Sequence, residues 1–118
     1  MNSPDNPANQ RRSERKPINF TAVVTDVISG QPLGHLGNLS VGGMMLISSK
    51  APRNEALYQV SLTLPAQPGL QPSQPIEVGI QEQWQAPAAS PGQIWAGYRI
   101  VAISDADAGH LDRWLAQA

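Results

Sequence analysis

Apolar and polar positions alternate with a period of two along several short stretches, the spacing that turns one face of a β-strand to a core and the other to water. From Ile18 to Ile28, in the β-branched run INFTAVVTDVI, Ile18, Phe20, Ala22 and Val24 alternate with polar or small neighbours and predict a first strand. Ser29-Gly30 supplies a tight turn, and a second strand is predicted over about Pro32 to Leu39, with Gly34 and Gly37 marking twist or a bulge. Met44 to Ser48 reads as a third. In the fourth, Leu57 to Leu64, the apolar set Tyr58, Val60, Leu62 and Leu64 is the buried face. Two more strands are predicted over about Ile76 to Gln85 and Ile94 to Ile103.

The segment PAQPGLQPSQP places four prolines between positions 65 and 75, where they cannot donate to a central ladder, so an exposed loop is expected there. The period changes at the end of the chain. Ser104 can cap a helix, Asp105 and Asp107 complement its positive end, and Leu111, Trp114, Leu115 and Ala118 share one helical face. The pattern therefore predicts an all-β fold: a six-stranded antiparallel β-barrel, closed so that no edge stays exposed, with one C-terminal helix over about 104–117 docked on the sheet.

Composition agrees with this architecture. The 118 residues suit one domain, and 10 Gly with 11 Pro disfavour a helical bundle. A hydrophobic fraction of 41% supports a core, and a charged fraction of 14% argues against disorder by charge repulsion over most of the chain. Residues 1–16 differ, being polar, proline-containing and without apolar periodicity. They are expected to form a flexible N-terminal arm that is mobile until a ligand orders it, with the barrel and helix occupying 17–118.

With no cysteine, disulfides, thiolate metal sites and cysteine nucleophiles are excluded. No apolar run reaches the length of a membrane helix and the first residues lack a secretory core, so a soluble cytoplasmic protein without direct membrane insertion is expected. The net charge of −1 hides an asymmetry. Arg11, Arg12, Arg15 and Lys16 against Asp5 and Glu14 give the arm +2, and the remaining residues sum to −3. A short basic cluster beside an acidic body suits one small anion better than a duplex, which needs phosphate contacts spread over a surface. A solvated tail is the bland reading of the same cluster.

Two motifs stand apart from the scaffold: Arg11-x-x-x-Arg15 before the first strand, and Asn38-x-Ser40-x-x-Gly43 between the second and third. Each alone is weak, but together and in this order they resemble the PilZ domain, a bacterial receptor for the second messenger cyclic di-GMP, whose pattern is RxxxR followed by [D/N]xSxxG. Trp84, the Gly97-Tyr98-Arg99-Ile100 segment and the Ile103-Ser104-Asp105 entry to the helix extend the resemblance over about residues 10–117.

The resemblance implies that Arg11 and Arg15 contact the ligand, and the chemistry is apt. A guanidinium can pair bidentately with phosphate oxygens or the guanine O6/N7 edge and can also stack on a purine. Arg12 is a further contact by proximity. Asn38 and Ser40 offer short polar groups on a turn, able to bond a guanine edge or phosphate while fixing the backbone. Gly43 permits close approach or a positive φ. Asn38 stands where the family also has Asp, exchanging one acceptor for a donor. Trp84 could stack on a guanine, against the commoner use of a barrel tryptophan as core.

Trp95 and Trp114 read as packing, against the barrel and under the helix. His35 and His110 are isolated, and no metal or cofactor is expected. Asp105 and Asp107 read as capping acids, and Ser40 lies in no nucleophile elbow, so no enzyme is expected. The leading expectation is a receptor that binds cyclic di-GMP and relays the signal to an unidentified effector protein, as a monomer or a ligand-linked dimer, in motility or biofilm control. Alternatives are a PilZ-like interaction module of type IV pilus or motility machinery that binds no nucleotide, and a small barrel for single-stranded nucleic acid. The last is disfavoured by six aromatics and an acidic body, so neither DNA nor RNA is expected as partner.

Overall fold

A computed structural model describes residues 16–17, 22–65 and 74–117. The strands are β1 (Lys16–Pro17), β2 (Val23–Asp26), β3 (Pro32–Leu39), β4 (Gly43–Ser48), β5 (Leu57–Thr63), β6 (Pro75–Pro87) and β7 (Ile94–Ile103), followed by the helix α1 (Asp105–Gln117). All pairings are antiparallel. The sheet runs β1-β3-β2-β5-β6-β7-β4, and β4 also pairs with β3, which closes the six longer strands into a barrel. Closure leaves none of the six with an open edge along its full length.

The core follows the predicted alternation. Val24, Leu36, Leu46, Val60, Leu62, Val78, Ile80 and Tyr98 are buried inside the barrel. Tyr58 meets Tyr98 edge to face, with ring centroids 6.2 Å apart. Burial pushes the Tyr98 phenol above its ordinary pKa, and the neighbouring Tyr58 and Glu82 add to that shift.

The first strand ends earlier than its apolar run predicts, at Asp26 rather than Ile28. The Asp26 carboxylate accepts hydrogen bonds from Ile28 N at 2.9 Å and Ser29 N at 3.4 Å, and Gly30 takes φ 76°. This side chain-to-backbone turn outcompetes further strand pairing, leaving Ile28 exposed. The beginning of that run, residues 18–21, lies outside the described residues. The fifth predicted strand, β6, is longer than expected and starts at Pro75, the position in a strand where a missing N–H does least harm.

The helix is built as its sequence predicts. Ser104 Oγ accepts from Asp107 N at 3.1 Å, a cap on the first turn. Leu111, Trp114 and Leu115 are buried in the same core as the strands, whereas Ala118 lies outside the described residues. Asp107 does more than complement the helix dipole, since its Oδ2 accepts Glu77 N of β6 at 3.1 Å. No described helix is long and apolar enough to cross a membrane.

Candidate ligand-binding site

Residues directly opposite in an antiparallel ladder point to the same face, so strand register decides which side chains meet on the outside of the barrel. On β3 and β4, Leu36 faces Leu46 and both are buried. Without interruption Asn38, two residues on, would also point inward. The register instead shifts between Leu36 and Asn38, and with Gly37 as the extra residue Asn38 opposes the partly exposed Met45. Leu39, opposite Met44, then returns to the core.

The same device recurs on β6. Glu82 opposes Tyr98 inside the barrel, the register shifts between Glu82 and Trp84, and Trp84 then opposes Gly97 on the outer face. The strand is anchored on both sides of this bulge. Buried Glu82 accepts Glu55 N at 2.8 Å and Gln85 Nε2 at 3.0 Å, and Gln85 Nε2 also donates to Pro52 O at 2.9 Å.

Two bulges thereby place two residues singled out by sequence on one row. Pro17 opposes Asn38, Asn38 opposes Met45, Met45 opposes Gly97, and Gly97 opposes Trp84. With neighbouring strands about 4.8 Å apart, Asn38 and Trp84 stand three spacings, or ~14 Å, from each other along the barrel wall. Arg99 lies on the next outward row, between Gly43 and Gln81, and its Nη2 donates to Gln81 Oε1 at 3.4 Å.

Trp84 is 46% exposed, whereas Trp95 is half-buried and leans outside the barrel onto Gly37. An alanine Cβ at Gly37 would lie 2.5 Å from Trp95 Cζ3, so the bulge residue must be glycine while the ring lies there. The Asn38 amide sits 3.9 Å from Met45 Sδ.

Ser40 is 3% exposed, and its hydroxyl is occupied within the turn between β3 and β4. It accepts Gly42 N at 3.3 Å and Gly43 N at 3.1 Å, and donates to Gly43 O at 3.3 Å. Of the two uses expected of this side chain, fixing the backbone is the one it performs here. Gly43 is buried and is not among the described residues with positive φ. Arg11, Arg12 and Arg15 lie outside the described residues.

The register also brings in Met45, Gly97, Arg99 and Gln81, which the two motifs do not assign to a site. Gly97 and Arg99 lie in a segment that follows the family layout, but their position across β4 from Asn38, on its row and the next, depends on pairings no local pattern reveals. His35 is exposed on β3, and His110 has a buried Nε2 without a hydrogen-bond partner.

The family model for the PilZ domain matches residues 9–117. This chain belongs to the PilZ domain family. PilZ domains as a family are non-enzymatic receptor modules of cyclic di-GMP signalling. No curated protein matches this PilZ chain in sequence. Among solved structures, the Bacillus subtilis inhibitor of motility MotI/DgrA superposes with a TM-score of 0.68 at 11% identity, over 86% of this chain and 47% of that one. The likeness establishes the shared barrel fold. This PilZ domain thus spans about half the length of that neighbour.

Proposed function

We propose that this chain is a cyclic di-GMP receptor that grips the dinucleotide between its N-terminal arginines and the outer row of the barrel, then presents the result to a partner protein. The observation that carries this reading is the row Pro17, Asn38, Met45, Gly97 and Trp84. The arm enters the sheet beside Asn38. Arg15 is one residue from Lys16 and so has its Cα within about 3.8 Å of that strand residue, and Arg11 is within roughly 18 Å by chain length.

The roles divide by chemistry. Arg11 and Arg15, with Arg12 beside them, supply charge-assisted pairs to the phosphodiesters or guanine edges. Asn38 offers a donor and an acceptor to a guanine edge, and Trp84 offers an exposed ring for stacking. Ser40 and Gly43 hold the turn that presents Asn38. A ligand held between the arm's arginines and the barrel row would create a combined surface, the differential contact through which a partner could distinguish the liganded state. Membership of the PilZ family supports the ligand class. The structural neighbour MotI/DgrA is an inhibitor of motility, which is consistent with an output through another protein.

Isothermal titration of cyclic di-GMP into the protein at moderate salt, with GMP as control, tests the reading. Saturable heat is expected, weakened tenfold or more in Arg11→Ala or Arg15→Ala, as the loss of about 1.4 kcal/mol or more requires. No heat at millimolar ligand would overturn the receptor reading and favour a protein-interaction module of the pilus or motility machinery.

A further inference from the structure

The outer row contains one residue with no side chain at all, and its neighbour depends on that absence. Gly97 is buried beneath Trp84, its direct partner across β6 and β7. A Cβ at Gly97 would overlap Trp84 Nε1 and would lie 2.5 Å from Cε2 and 2.8 Å from Cδ1, so the pyrrole half of the indole occupies the space an alanine would fill. Contacts below 3.0 Å force one partner to move, and these are to a ring atom cluster rather than to the tip of a flexible chain. Trp84 remains 46% exposed all the same. One side of the ring is therefore supported by the barrel wall while another is open.

From this we infer that Gly97 is a positioning residue for ligand binding: it provides the seat that holds the Trp84 indole against the barrel, oriented for a planar heteroaromatic ring before any ligand arrives. The inference rests on the proposed receptor function and deepens it. An exposed tryptophan free to turn about two side-chain torsions would lose that freedom on stacking, and a preformed seat removes part of the cost. The bulge at Gln83 turns the indole outward, the glycine receives it, and the Glu82 and Gln85 bonds to the 52–55 segment hold the strand beneath it. Each part serves the orientation of one ring.

The seat also separates Trp84 from Trp95. Trp95 rests on Gly37 by a similar close approach, but it is half-buried and lies on the neighbouring row, opposite Ile47 and Ala86. Trp84 is the more exposed of the two indoles.

A double-mutant cycle tests the inference by calorimetric titration with cyclic di-GMP, using the native sequence, Gly97→Ala, Trp84→Ala and the double variant. Gly97→Ala is expected to weaken binding about tenfold, within the range that loss of one base–aromatic stack produces. In the Trp84→Ala background the same substitution should change affinity less than about twofold, because a seat without its ring has nothing left to position. Native affinity in Gly97→Ala, or an equal loss in both backgrounds, overturns the inference while leaving the receptor reading intact. A native protein that binds no cyclic di-GMP overturns both.

A second readout needs no change at Gly97 and covers the case in which that variant fails to fold. Nuclear spin relaxation of the Trp84 indole N–H in the ligand-free native protein should give an order parameter near 0.85, about that of rigid backbone. A value below about 0.6 would show a ring that moves freely and would overturn the seat.

Discussion

Trp114 is 5% exposed and donates its indole N–H to Pro65 O at 2.8 Å, whereas Trp84 is 46% exposed and rests on a glycine across the ladder. The first lies on the helix among Leu111, Leu115 and the barrel core, where its area leaves water and its polar atom is satisfied. The second leaves nearly half of its surface exposed on the outside of a wall already closed by hydrogen bonds. Residue type alone therefore says little about use. Register and backbone support decide whether a tryptophan holds the fold together or is offered to something else.

The largest effect should come from breaking the holding member of the pair. Trp114→Ala removes a buried ring and leaves a cavity beside the helix, at a cost of about 3–5 kcal/mol. In thermal denaturation this should lower the midpoint by more than about 10 °C. Trp84→Ala should cost about 1 kcal/mol or less, typical of a partly exposed position, while weakening cyclic di-GMP binding about tenfold through loss of one base–aromatic stack. If both variants lose stability equally, the contrast between the two indoles fails.

Ser40 sharpens the comparison, since it belongs to a binding motif by sequence but resembles Trp114 in its burial. Ser40→Ala strips the acceptor from Gly42 N and Gly43 N in a buried turn, with an expected cost of about 1–3 kcal/mol. Denaturant unfolding should show a lower midpoint at unchanged slope. Affinity for cyclic di-GMP, measured where the variant is folded, should change less than about threefold. Undiminished stability with a tenfold loss of affinity would instead make Ser40 a direct contact.

The sequence is most informative where a local pattern coincides with a structural need. Alternation in Tyr58 to Leu64 announces a strand with one buried face, Ser104 announces a helix start, and Asn38-x-Ser40-x-x-Gly43 marks the turn after β3. Legibility ends at the bulges. Gly37 suggests an irregularity, but nothing local to Gln83 says that β6 gains a residue there, and that one residue decides whether Trp84 points in or out. The row joining Pro17, Asn38, Met45, Gly97 and Trp84 is a property of four strand pairings, so motif residues can be recognised without their arrangement being seen. Asp26 shows the converse failure, an apolar run ended by one carboxylate that bonds its own backbone.

The smallest expected effect isolates the helix that carries Trp114 from the face that carries Trp84. Ser104 Oγ accepts Asp107 N at 3.1 Å, and the same Asp107 bonds β6 through Glu77 N, so the cap fixes both the first turn and the start of helix docking. Ser104→Ala should cost about 1 kcal/mol, a fall of roughly 4–8 °C in thermal midpoint for a domain near this size. The indole of Trp114 keeps its own bond to Pro65, so the helix should remain docked and the loss should not approach that of Trp114→Ala. Cyclic di-GMP affinity should be unchanged, because the outer row is set by strand register rather than by the helix. A clear fall in affinity would show that helix docking reaches the β6–β7 register, making the holding and presenting regions one coupled unit.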